Sequence, residues 1–135
     1  MADIVVNADQ VAVVFPLKAE IYDFIAGEAI NPGQAVYVNA NGKLALADAN
    51  GSGTVQFRGI ALKKGGPGQA VSVLLRGHVA GFDVSGLAYD APVYVSNTAG
   101  ALADAAGGTS LLAGRVIPIT DRALTKLLFI TGWAG

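Results

Sequence analysis

His78 is the only histidine of the chain and the residue best suited to acid–base chemistry. A serine (Ser72 or Ser85) and Asp83 lie close enough in sequence to suggest a hydroxyl–imidazole–carboxylate set. A nucleophilic serine of that kind sits on a strained Gly-x-Ser-x-Gly turn, and nothing here resembles one. Beside Arg76 and ahead of Val79-Ala80-Gly81, His78 reads better as a strand residue at a sheet edge.

Other fragments of chemistry are weaker. Asp48-Ala49-Asn50-Gly51-Ser52 has the start of a calcium loop but not its later acidic ligands, so a turn is the better reading. Gly65-Gly66-Pro67-Gly68 and Gly51-Ser52-Gly53 could pass for phosphate loops, yet neither continues into Gly-Lys-Ser/Thr or opens a helix. The only glutamates, Glu20 and Glu28, give no sign of the paired carboxylates of glycoside chemistry. There is no cysteine, which removes disulfides, thiolate metal sites and cysteine nucleophiles. No ligand spacing for zinc or calcium exists, and the expectation is a non-enzymatic protein without metal or cofactor.

Charge points the same way. The formal net charge is -1 and 14% of residues are charged, so a nucleic-acid partner is not expected. Lys63-Lys64 is the only adjacent basic pair and fits a solvated turn. Apolar residues make up 53% of the chain, a high share that must be hidden somewhere; a subunit interface is one destination. No apolar run approaches the ~20 residues that span a bilayer. Met1-Ala2-Asp3-Ile4 lacks the basic start of a secretion signal, so the expected place of synthesis and residence is the cytoplasm.

The elements that would carry these residues are strands. Eighteen glycines punctuate short segments rich in Val, Ile, Leu, Tyr and Phe, many of which alternate apolar with small or polar residues. No stretch keeps helical spacing without a Gly or Pro. The clearest hairpin joins Ala35-Val36-Tyr37-Val38 to Lys43-Leu44-Ala45-Leu46 through Asn39-Ala40-Asn41-Gly42, where Asn41-Gly42 offers the positive φ angles of a tight turn. Further strands are expected over residues 4–6, 11–15, 21–25, 55–62, 70–79, 92–95, 111–119 and 124–130.

An internal repeat organises them. Val36-Tyr37-Val38 and the run ending Ala47-Asp48-Ala49 recur as Val93-Tyr94-Val95 and Ala103-Asp104-Ala105. Phe57-Arg58-Gly59-Ile60-Ala61 lines up with Leu112-Ala113-Gly114-Arg115-Val116, and Gly77 with Gly132. The spacing drifts from 57 residues at Tyr37/Tyr94 to 55 at Gly77/Gly132, as two copies with small gaps would. The expected fold is all-β: a small barrel or sandwich of tulip-like form, built from two related units of about 55 residues. Residues 1–26 form an N-terminal arm or strand, and 27–135 the β domain, with repeats over about 27–81 and 84–135. Asp48 and Asp104 hold matching positions, where a turn-fixing role is the commoner one.

The N-terminal run Val11-Ala12-Val13-Val14-Phe15, stopped by Pro16, lies outside the repeat and could pair with its own sheet or reach a neighbour. Trp133 could plug the core or anchor an interface, where tryptophan is enriched.

The run from Ala26-Gly27-Glu28 through Asn31-Pro32-Gly33-Gln34-Ala35-Val36-Tyr37-Val38 to Gly42-Lys43-Leu44-Ala45-Leu46-Ala47-Asp48-Ala49 resembles the capsid cement, or head-decoration, proteins of tailed bacteriophages. Phe57-Arg58-Gly59-Ile60-Ala61-Leu62, Gly68-Gln69-Ala70-Val71-Ser72-Val73 and Val93-Tyr94-Val95 extend the resemblance over nearly the whole chain. It implies a homotrimer on the outside of the expanded capsid, made in the host cytoplasm and bridging major capsid proteins in the virion. By the same analogy the N-terminal segment contacts the shell or a neighbour, which makes Ile4, Val5, Val6, Val11, Val13, Val14 and Phe15 the candidate binding residues, with Trp133. The alternative is a β-barrel adhesion or carbohydrate-binding module on a particle surface, recognisable by exposed aromatics on one face.

Overall fold

The computed structural model describes residues 2–50, 56–118 and 126–132. Among them there is no α-helix, only two short 3-10 turns at Ala8–Gln10 and Pro16–Lys18. The strands are β1 (Ala12–Val14), β2 (Glu20–Ile25), β3 (Ala35–Val38), β4 (Leu44–Leu46), β5 (Gly59–Ala61), β6 (Ala70–Ala80), β7 (Pro92–Val95), β8 (Leu102–Ala103), β9 (Leu112–Pro118) and β10 (Lys126–Thr131). The all-β expectation therefore holds for the described residues, although residues 4–6 form no strand, only Val6 and the preceding Asp3 making isolated bridges.

The strands form one curled sheet in the order β4-β3-β5-β6-β10-β9-β7-β8, with β1 and β2 added alongside β6. Every named strand pair is antiparallel. The hairpin β3–β4 forms in the expected place, with Val36 opposite Leu46 and Val38 opposite Leu44. Its turn differs in one detail: Gly42 alone takes a positive φ (+78°). The Asn39 side chain does the rest, its Oδ1 accepting from the N–H groups of Asn41 (3.0 Å) and Lys43 (3.1 Å).

The 11-residue β6 is the spine. Its first part pairs with β5 and β2, and its last part with β10 and β1. The two parts are out of phase. Opposite β2 the register jumps from Arg76 to Leu74 between Glu20 and Ile21, and Gly77 takes φ +146°. A bulge of this kind inserts one residue and turns the following side chains to the other face. Leu74 and Val79, of opposite parity, consequently reach the same core with Ile60, Val93, Leu102, Val116, Leu128 and Ile130. Val71, Val73 and Leu75 face a second core with Val36, Leu44, Ala26 and Ile30.

The outermost strands are tied back. Along β4, the Gly27 N–H donates to the Leu44 carbonyl (2.8 Å) and the Leu46 N–H to Glu28 Oε2 (3.1 Å). Along β8, the Ile4 N–H donates to the Leu102 carbonyl (2.8 Å) and the Asp104 N–H to the Ala2 carbonyl (3.1 Å). Charged side chains and short cover segments are usual ways to blunt a sheet edge.

Candidate functional site

The structure does not bring the serine–histidine–aspartate set together. The Ser72 hydroxyl donates to Asp23 Oδ1 at 2.7 Å, and the Ser85 hydroxyl donates to Asp83 Oδ1 at 2.6 Å. With the Ser85 N–H it holds the Asp83 carboxyl below its ordinary pKa. His78 stands apart on β6, edge-on to Phe15 at 5.1 Å and to Phe129 at 5.0 Å between ring centroids. Its Nδ1 is buried without a hydrogen-bond partner. Burial, and secondarily the Lys18 charge, push its pKa below the usual histidine value.

The loop-like motifs resolve into turns where they are described. Asp48 Oδ1 accepts from the Asn50 N–H at 3.2 Å, whereas Asp104 Oδ1 accepts from the Ala2 N–H at 2.9 Å, so the two matched aspartates do different work. Gly65 exchanges backbone hydrogen bonds with Ile30. Residues 51–53 lie outside the described chain. Among the described residues no group of three or more His, Asp or Glu could hold a metal ion, and no helix is long and apolar enough to cross a membrane.

What the fold does assemble is an apolar surface. Of nine large apolar side chains left exposed among the described residues, seven precede Ala26: Val5, Val6, Phe15, Leu17, Ile21, Tyr22 and Ile25. Leu17 is fully exposed, on the 3-10 turn after Pro16. On β2, Tyr22 is 63% exposed, with Ile21 and Ile25 each above 40%.

The candidate binding residues divide. Ile4, Val11 and Val13 pack against the main core. Val14 is half-buried opposite His78, and Val6 bridges Phe82 and leans over Gly33. Val5 and Phe15 are exposed, and Phe15 is held in the left-handed region (φ +59°). Trp133 lies outside the described residues. The segment is hydrogen-bonded into the sheet: besides the bonds to β8, the Asn7 N–H donates to Gly81 and the Asp83 N–H to Val5. The buried Ser96 hydroxyl donates to the Asp3 carboxylate and accepts from the Thr98 N–H.

Sequence reasoning passed over Leu17, Ile21, Tyr22 and Ile25. A signal was present: in Glu20-Ile21-Tyr22-Asp23-Phe24-Ile25 apolar side chains fall on both faces of a strand, the pattern of a strand covered on both sides. Here β2 pairs with β6 alone among the described strands. Comparison with known protein families, with curated proteins and with solved structures finds no match.

Proposed function

We propose that this chain is a structural head-decoration protein of a tailed bacteriophage, binding the outside of an expanded capsid as a homotrimer and bridging major capsid proteins. The observation that carries the reading is the exposure of Phe15 and Leu17, and of Ile21, Tyr22 and Ile25 on the two faces of β2, on a chain whose two cores are built from other residues. Exposed apolar side chains gathered in one part of a chain favour contact with another protein, and a shell offers many equivalent sites. Repeated weak contacts then add to firm attachment.

We also infer the two-unit architecture expected from the repeat. In its favour, the strand order reads the same from both ends once β3, β4, β5 and β6 are matched with β7, β8, β9 and β10. Val36 lies opposite Gly59 as Val93 lies opposite Gly114. Both glycines are needed for the same reason: a Cβ would overlap the Leu74 carbonyl at Gly59 and the Phe129 carbonyl at Gly114. In the hairpins Leu102 takes the place of Leu44, each opposite the last valine of its strand.

The test is co-sedimentation with undecorated, expanded shells of the phage that carries the chain. Stoichiometric binding is expected, and Leu17→Glu with Tyr22→Glu should abolish it while leaving the fold intact. Absence of binding by the wild-type protein rejects the role. Binding of simple or polymeric glycans that Tyr22→Ala removes would favour the carbohydrate-binding alternative instead.

A further inference from the structure

The chain has six asparagines, and the structure separates them by what surrounds each side chain and the nitrogen that follows it. Asn7, Asn39 and Asn97 are engaged. The Oδ1 of Asn7 accepts from the Asp9 N–H (3.2 Å), that of Asn39 from Asn41 and Lys43, and that of Asn97 from the Gly108 N–H (2.8 Å). Asn31 precedes Pro32, whose nitrogen carries no proton. Asn50 precedes Gly51, which lies outside the described residues. Asn41 differs from all of these. It is exposed at the tip of the β3–β4 hairpin, and its side chain makes no hydrogen bond among the described residues. The next residue, Gly42, has no side chain to shield its nitrogen, and a Cβ built there would meet nothing within 4 Å. The Gly42 N–H donates to the Asn39 carbonyl at 2.9 Å within the turn. A solvent-exposed turn bond of this kind opens without unfolding the rest of the chain.

We propose that Asn41 is a site of spontaneous covalent modification, at which the Gly42 nitrogen displaces the side-chain amide. The nitrogen gives its proton to solvent and attacks Asn41 Cγ. A C–N bond forms and closes a five-membered succinimide; the Cγ–Nδ2 bond breaks, and Nδ2 takes a proton from solvent and leaves as ammonia. Water then adds to one of the two ring carbonyls and opens the ring. Opening at Cγ gives aspartate in an ordinary chain. Opening at the main-chain carbonyl gives isoaspartate, with the backbone rerouted through the side chain. Water is the only co-reactant and nothing is oxidised or reduced. Either product places a carboxylate where an amide stood, adding one negative charge to the formal -1.

The isoaspartyl form also lengthens the backbone by one carbon between the N–H groups of residues 41 and 43, both held by Asn39 Oδ1. The strain falls on the closing end of the hairpin, beside the Val38–Leu44 pair. Leu44 is wholly buried in the second core, so β4 should loosen as this product accumulates. None of this rests on the shell-binding reading.

Long incubation of the full chain in warm, mildly alkaline buffer, followed by peptide mapping with mass spectrometry, tests the proposal. A parallel incubation in urea sets the time over which the unfolded chain converts. The folded chain should convert Asn41 within about tenfold of that rate, because the turn opens at low cost. The isoaspartyl form, separated by anion exchange on its extra charge, should show faster amide hydrogen exchange in β3 and β4 than fresh protein. Asn41→Gln should keep its amide over the same time, with the exchange of fresh protein; Asn41→Ser serves equally if that variant misfolds. A folded chain that retains the Asn41 amide after the unfolded chain has lost it overturns the assignment, as does earlier conversion of Asn39 or Asn97. An isoaspartyl form whose β3 and β4 exchange as in fresh protein overturns the effect on the hairpin.

Discussion

His78 and Phe129 stand directly opposite each other on β6 and β10, their rings 5.0 Å apart and nearly perpendicular (71°). With Phe15 on the other side, the imidazole is sandwiched between two aromatic edges, and its buried Nδ1 meets no partner. The neutral form suits this place and the charged form does not.

Stability should therefore depend on pH through His78. Its folded pKa lies below its unfolded value, so the unfolded chain binds the proton more readily. The stabilising contribution is complete above about pH 6.5, the ordinary histidine value, and declines as pH falls through that value toward the lower folded one. Thermal melts between about pH 7.5 and 5 should show this slope, and His78→Phe should flatten it. An unchanged slope in the variant would assign it to other groups.

Glycines at close approaches should be intolerant. Gly114→Ala is expected to cost about 1–3 kcal/mol, since the new methyl must displace the Phe129 carbonyl in mid-sheet. Gly42→Ala meets no neighbouring atom and pays only for its positive φ, about 1–2 kcal/mol. Urea titration of both variants gives the comparison; a Gly114 variant as stable as wild type would contradict the register of β9 on β10.

Leu74→Ala should remove about 2–5 kcal/mol, or roughly 4 °C of Tm for each kcal/mol, because this side chain is wholly buried where β2, β5 and β6 meet. Tyr22→Ser, by contrast, should stay within about 0.5 kcal/mol of wild type. Equal losses would mean that Tyr22 is already covered in the free chain.

Asp3 and Ser96 should behave as a unit. Ser96→Ala leaves a buried site without its hydroxyl and is expected to cost about 1–2 kcal/mol. Asp3→Ala should cost less in that background than in wild type, and a double-mutant cycle measures the difference. Strict additivity would show that the two do not interact in solution.

The parts of this fold that were legible in sequence are those set by local chemistry. The β3–β4 hairpin followed from Asn-Gly and alternation, and β7 fell on its expected residues because Pro92 and the turn after Val95 bound it. The two-residue β8 escaped, being too short to carry a periodic signal. The position of β1 and β2 against β6 escaped as well, since it depends on a bulge near Leu75 and on Gly77, and a bulge leaves no composition behind. Exposure was not legible either: analogy, apolarity and a place outside the repeat marked residues 4–15, among which Ile4, Val11 and Val13 pack against the core, whereas Leu17, Ile21, Tyr22 and Ile25 are left exposed by the way β2 lies on β6.

The position of β6 also sets a schedule for synthesis. As the nascent chain leaves the ribosome, β2, β3, β4 and β5 are already available when β6 emerges, yet one flank of residues 76–79 must wait until β7, β8 and β9 have been made and β10 arrives. Asp3 waits similarly for Ala103. Long-range pairings of this kind slow folding and leave a strand open to the wrong neighbour in the interval. Crowded polysomes, where identical unfinished chains emerge side by side, are where misassembly should begin.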